Sequence, residues 1–102
     1  MKKVEIVVDS LYLSKAIEII EKNRAPGYTV IKDATGKGER GLMAGDELTD
    51  VFKNSYVFTV CEEETAMRIF EEIKTILSKS GGICLISDVV LVAHGKEYQR
   101  HL

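Results

Sequence analysis

SYVFTVCEEETAMRIFEEIKTILSKSGGICLISDVVLVA, residues Ser55 to Ala93, changes its hydrophobic period twice. SYVFTVC is rich in β-branched and aromatic residues and reads as a strand over Ser55 to Cys61. From Glu62 the period becomes helical: Ala66, Ile69, Phe70, Ile73, Ile76 and Leu77 fall on one face. Glu62, Glu63 and Glu64 open that helix, where its dipole favours carboxylates, and Lys74 and Lys79 lie towards its far end. Gly81 is a helix-terminating residue. Beyond Gly82, the run from Ile83 to Ala93 reads as one long strand.

Upstream, strand, helix and strand follow in the same order without sequence repetition. Lys3 to Val8 is β-branched and reads as a strand. Ser10 is placed to cap the next helix, on which Leu13, Ala16, Ile17 and Ile20 form the apolar face, with Lys15, Glu18, Glu21 and Lys22 outward. That helix is expected to end near Asn23–Arg24, because Pro26 disfavours helical geometry at Ala25. Tyr28 to Asp33 reads as a further strand. Residues 36–54 carry little periodic signal; a loop of about 20 residues in a compact domain is uncommon and usually functional. The alternative is a short ribbon extending the flanking strands. The polar tail, His94 to Leu102, is expected to fray or dock elsewhere. The order β-α-β-loop-β-α-β over a single domain, residues 1–102, predicts an α+β ferredoxin-like fold: a four-stranded antiparallel sheet with both helices on one face.

Two helices cover one face of such a sheet, and the other face alternates to polar residues where it meets water. Here it alternates only in part. Tyr56, Phe58 and Val60 oppose Val57 and Cys61; Ile83, Leu85, Val89 and Leu91 oppose Cys84, Ile86, Val90 and Val92; Val7 opposes Val4, Ile6 and Val8. A sheet apolar on both faces needs a second cover. The chain has no third helix to supply it, so other copies of the protein are expected to bury the open face.

The segment GKGERG, Gly36 to Gly41, opens the long loop. Glycines permit sharp turns and close approach to a ligand. Exposed backbone N–H groups beside Lys37 and Arg40 suit a phosphate; a surface turn with solvated cations is the plain alternative. It is not a P-loop, for it lacks G-x-x-x-x-G-K-[ST] and no helix follows directly. With 14 basic and 16 acidic residues the net charge is −2, which argues against a nucleic-acid partner. No apolar run approaches the roughly 20 residues of a bilayer span, and Glu5 and Asp9 interrupt any signal-like segment. Two cysteines without C-x-x-C are expected to be free core thiols in the cytoplasm. The acids Asp46, Glu47 and Asp50 and the histidines His94 and His101 lack ligand spacing, so no metal site is assigned. The apolar loop residues Leu42, Met43, Leu48 and Phe52 suit either a partner surface or packing on their own assembly. No nucleophile–base pair suggests an enzyme; Glu39 beside a phosphate would be at most a weak aid to nucleotide hydrolysis.

GYTV (Gly27 to Val30), the Gly-rich turn GKGER after the second strand, and SGGICLISDVVLV (Ser80 to Val92) together resemble the PII signalling family. The GKGER turn is similar to the loop of PII-like proteins associated with bicarbonate uptake and carboxysomes. The resemblance covers residues 3 to about 93 and makes 36–54 the family's T-loop. It implies a homotrimer whose sheets line an inner barrel, with an adenine nucleotide (ADP, AMP, ATP or cyclic AMP) in each cleft between subunits. By position it places Thr29 against the adenine and Gly36, Lys37, Gly38 and Arg40 around the phosphates. Gly81, Gly82 and Ile83 would close from the other side, and Val60 and Cys61 would lie beside the base. It further implies that the T-loop engages a membrane transporter or an enzyme, with bicarbonate as a possible co-ligand. Glu39 and Arg40 stand where nitrogen-sensing members carry a glutamine for Mg-ATP and 2-oxoglutarate, so 2-oxoglutarate sensing is not expected. The runner-up function is a trimeric accessory protein of heavy-metal efflux, like the related CutA proteins, binding a divalent metal.

Overall fold

The computed structural model describes residues 1–38, 41–42 and 53–98, with only the backbone described at 37, 38, 41 and 42. In chain order the elements are β1 (Lys2–Asp9), a 3₁₀ turn (Ser10–Tyr12), α1 (Leu13–Lys22), β2 (Thr29–Ala34), β3 (Lys37–Gly38), β4 (Gly41–Leu42), β5 (Asn54–Cys61), α2 (Glu63–Ser80), β6 (Ile83–Asp88), β7 (Leu91–Ala93) and β8 (Lys96–Tyr98). The main sheet is antiparallel in the order β2-β5-β1-β6. This is the expected ferredoxin-like arrangement, with the two consecutive hydrophobic strand pairs interleaved.

The helices cover one sheet face. Val4, Ile6 and Val8 of β1, Val57, Thr59 and Cys61 of β5, Ala16 and Ile20 of α1, and Ala66, Ile69 and Ile73 of α2 are all buried. Between the helices, Asn23 is buried and acts as a clasp. Its amide donates to the Ile19 carbonyl (2.8 Å) and to Glu72 (3.1 Å), and its oxygen accepts from Arg68 Nε (3.3 Å).

Three local expectations need correction. Ser10 does not cap a helix: Asp9 accepts from the Leu11 N–H (2.9 Å), while Ser10 Oγ meets Ser55 Oγ at 2.7 Å. The long fourth strand is broken. β6 ends at Asp88, opposite Lys2 at the start of β1, and the Val89 N–H goes to the Met1 carbonyl; Leu91–Ala93 pair instead with Lys96–Tyr98. The tail is not frayed where it is described. It folds back as the β7–β8 hairpin, with His94 (φ 56°) and Gly95 (φ 77°) in the positive-φ pair that two-residue hairpin turns require. Arg100 and His101 lie outside the described residues.

At the loop base, Lys37 pairs with Leu42 and Gly38 with Gly41 in a separate two-stranded ribbon, whereas the β2–β5 pairing itself ends at Ala34 and Asn54 and is not extended by it. Glu39, Arg40 and residues 43–52, including Met43, Asp46, Glu47, Leu48, Asp50 and Phe52, lie outside the described residues. Before the ribbon, β2 has a bulge. Ile31 faces Tyr56 and Ala34 faces Asn54, so Lys32 and Asp33 together oppose Ser55. Asp33 takes φ 62° and pairs with Lys53 at 3.7 Å. A bulge bends its strand and redirects the chain beyond it, here the glycine segment. Asp33→Val is expected to lower stability by about 1–2 kcal/mol, because a β-branched residue resists left-handed φ. Asp33→Gly loses the same ion pair but is expected to cost less; urea unfolding of the two variants separates strain from charge.

Candidate functional site

Strand register fixes which residues share the open face. Thr29, Phe58, Glu5 and Leu85 form one row across the sheet; Ile31, Tyr56, Val7 and Ile83 form the next. These rows point away from the helices, and Ile31, Ile83 and Leu85 are all more than half exposed. The expectation of a sheet apolar on both faces therefore holds for β5 and β6, and β2 adds Ile31, while β1 presents Val7 beside the charged Lys3 and Glu5.

The candidate residues fall at one rim of that face. β1 and β2 run towards the end where Asp9, Asn54 and Ala34 lie level, and Gly36 leaves from there. β6 enters at the same end, Ile83 opposite Val7. The segments Gly36–Gly38 and Gly81–Ile83 thus sit at one end of the sheet but on its opposite edges, about 14 Å apart at three strand spacings. Thr29 is exposed on the β2 edge, two residues further along the same face. Arg40 lies outside the described residues. Cys61 does not belong with this group, because alternation turns it into the helix-covered core, where it is 1% exposed.

The structure adds a reason for Gly82 that the sequence did not display. Gly82 has φ +105°, and a Cβ built on it would lie 2.1 Å from the Val7 carbonyl oxygen. Only glycine lets the α2–β6 turn lie so close to β1. Gly81 N–H closes α2 on the Leu77 carbonyl at 2.8 Å. At the other edge, Thr59 Oγ1 donates to the Gly27 carbonyl from the covered face and so anchors the start of the GYTV segment.

Electrostatically, the open face holds a polar cluster at its centre. Glu5 accepts from the Tyr56 hydroxyl (2.8 Å) and lies 3.6 Å from the Lys3 ammonium, which itself sits 4.8 Å above the Phe58 ring. Burial, then the Glu5 carboxylate, push the Tyr56 phenol up. A groove of about 650 Å³ on the outer side of α2, lined by Glu63, Glu64, Met67, Arg68, Glu71 and Glu72, lies apart from the glycine rim. Among the described residues no three of His, Cys, Asp and Glu gather as a metal would need, and no helix is long and apolar enough to cross a membrane.

Both cysteines are free thiols, Cys61 buried and Cys84 half-buried. Burial pushes the Cys84 thiol from 9.0 up to about 11. The neutral thiol's contribution to stability is intact below pH 9.0 and is lost as pH rises through about 11. At pH 8, Cys84 in the folded chain is expected to react with a disulfide reagent about 100-fold more slowly than in denaturant, since the thiolate is the nucleophile. A Cys61→Ser background isolates this reaction, and equal rates would contradict the burial.

The result is a small split-βαβ sheet, bare on one face and rimmed by two glycine turns. The chain belongs to the nitrogen regulatory protein P-II family, which it matches over residues 1–96. Among solved structures it is similar to a PII-like signalling protein from Thermus thermophilus, at 29% identity and TM-score 0.69, covering 86% of this chain and 85% of that one. It is also similar to CPII, a nitrogen regulatory PII-like protein from Thiomonas intermedia bound to ADP, AMP and bicarbonate, at 20% identity and TM-score 0.75, covering 86% and 84%. The same protein bound to ADP and bicarbonate aligns at 24% identity and TM-score 0.70, covering 86% and 84%. No curated protein sequence matches.

Proposed function

We propose that this chain is a PII-like regulatory protein that acts in the cytoplasm as a homotrimer and binds an adenine nucleotide where copies meet. One observation carries the reading. Thr29, Gly36, Gly82 and Ile83 are all exposed on the rim of an apolar sheet face that a single chain leaves bare. Packing of a second copy against that face would turn the rim into a cleft. The phosphates would be held by backbone N–H groups of Gly36–Gly38 and by Lys37 and Arg40, through charge-assisted hydrogen bonds. Gly81, Gly82 and Ile83 would close on the ligand from the β6 edge, and Thr29 would take the adenine. The ADP, AMP and bicarbonate bound to the Thiomonas protein support an adenine nucleotide with bicarbonate as co-ligand.

Regulation would follow from differential contact. A nucleotide that binds one arrangement of the 36–54 loop more tightly than another shifts the population between them. The loop in the favoured arrangement would then engage a transporter or enzyme target.

Calorimetric titration of the full chain with ATP, ADP, AMP, cyclic AMP, zinc and copper tests this reading. Saturable heat with at least one adenine nucleotide, and none with the metals, is expected. Heat with a metal alone would instead favour the metal-efflux alternative.

A further inference from the structure

The open face has a feature that the nucleotide reading does not use. Lys3 and Glu5 project from the central strand β1 into an otherwise apolar surface of Val7, Tyr56, Phe58, Val60, Ile83 and Leu85. Charged side chains on a face destined for burial are costly unless every polar valence is met.

Within one chain the valences are only half met. Tyr56 and Lys3 both address the same Glu5 oxygen, Oε2, and the other oxygen has no partner among the described residues. Lys3 has three N–H donors. It approaches one carboxylate oxygen at 3.6 Å and rests on the Phe58 ring. Both side chains keep about a quarter to a third of their surface exposed, 31% for Lys3 and 26% for Glu5. The row neighbours of Glu5 are Thr29, Phe58 and Leu85, and those of Lys3 are Val60 and Ser87. None of these is an ionised group.

The geometry points to an inter-copy ion-pair ring, in which Lys3 of each copy also meets Glu5 of its neighbour and so selects this chain's own copies as the occupants of the open face. The inference rests on the homotrimer reading above. Its chemical basis is self-complementarity. The pair offers one unused carboxylate oxygen and unused ammonium donors, and rotational symmetry presents the same set on the adjoining copy. Copies of this chain satisfy both charges, whereas an apolar partner face would leave both unpaired. The apolar surround supplies area, and the charged pair sets register and partner choice.

Charge reversal tests this by mixing. Chains carrying Glu5→Lys and chains carrying Lys3→Glu are prepared separately as full-length protein, and their masses are read by light scattering at micromolar concentration. Each alone places like charges at every junction and is expected to assemble about tenfold or more weakly than the native chain. Mixed together, they restore opposite charges at two of the three junctions in any ring of three that contains both, so the mixture is expected to form a species of three times the 11.4 kDa chain mass more readily than either reversed chain alone. The doubly inverted chain, K3E/E5K, is expected to assemble as the native chain does, and this guards against a single reversal that does not fold. Native-like trimers from the single reversals would overturn the ring. So would a mixture that assembles no more readily than either reversed chain alone, since the pair would then act only within one chain, and so would failure of the doubly inverted chain. A native chain that is itself monomeric would overturn the trimer reading as a whole.

Discussion

Gly82→Ala is expected to lower the unfolding free energy by about 3 kcal/mol, combining left-handed strain with an overpacked backbone contact. The added methyl would sit 2.1 Å from the Val7 oxygen and 3.1 Å from the Val7 carbonyl carbon, and neither is the movable end of a side chain. Relief requires β6 to separate from β1 at the Ile83–Val7 rung, which forms the β6 side of the candidate rim. At fixed protein concentration the melting temperature should fall by about 10 °C or more. Two other glycines calibrate the result. Gly95 has φ +77° but open space around its missing side chain, so Gly95→Ala should cost about 1 kcal/mol from conformation alone. Gly27 has open space and no positive φ, and its alanine variant should be near neutral. Equal effects at all three positions would show that the contact with Val7 is not what requires glycine at 82.

The second large effect concerns the ligand. Removing both Lys37 and Arg40 by alanine substitution should weaken ADP binding on the order of 100-fold or more, since each charge-assisted bond contributes about 1.5–3 kcal/mol. Thermal unfolding of the unliganded protein is expected to stay close to native, which separates lost ligand binding from lost stability. Titration of the variant with ADP gives the answer. A change of less than about threefold would remove phosphate binding from the GKGERG segment, while leaving the assembly of copies untouched.

Much of the architecture was legible because periodicity reports burial. The alternation in SYVFTVC separated Tyr56, Phe58 and Val60 from Val57 and Cys61, and the latter two are the buried ones. The i, i+3, i+4 pattern in α2 picked out Ala66, Ile69, Ile73 and Ile76 correctly. The apolar residues on the face that two helices cannot reach were legible too, and Ile83 and Leu85 are exposed there. What stayed hidden depends on where another strand ends. Ile83 to Ala93 is uninterrupted in composition, yet its pairing with β1 ends at Asp88 opposite Lys2, and Leu91–Ala93 pair instead with Lys96–Tyr98. His94-Gly95 was the available sign of the hairpin, through their tolerance of positive φ.

The site was less legible than the fold. Its glycines could be named as candidates, but Gly36 has open space around it whereas Gly82 lies against Val7, and sequence cannot distinguish the two. The bulge at Asp33 re-aims the loop without any proline or glycine to mark it. Lys3 and Glu5 alternate with Val4 and Ile6, so their shared face was readable. Their convergence with Tyr56 depends on cross-strand register and was not.

The central claim is that copies of this chain build the nucleotide site together. Native mass spectrometry of the full chain with ADP tests it in one spectrum. The account predicts a species of three times the 11.4 kDa chain mass that takes up ADP in steps, ending at one per chain. A monomer that binds ADP, or a trimer that takes up none, would contradict it.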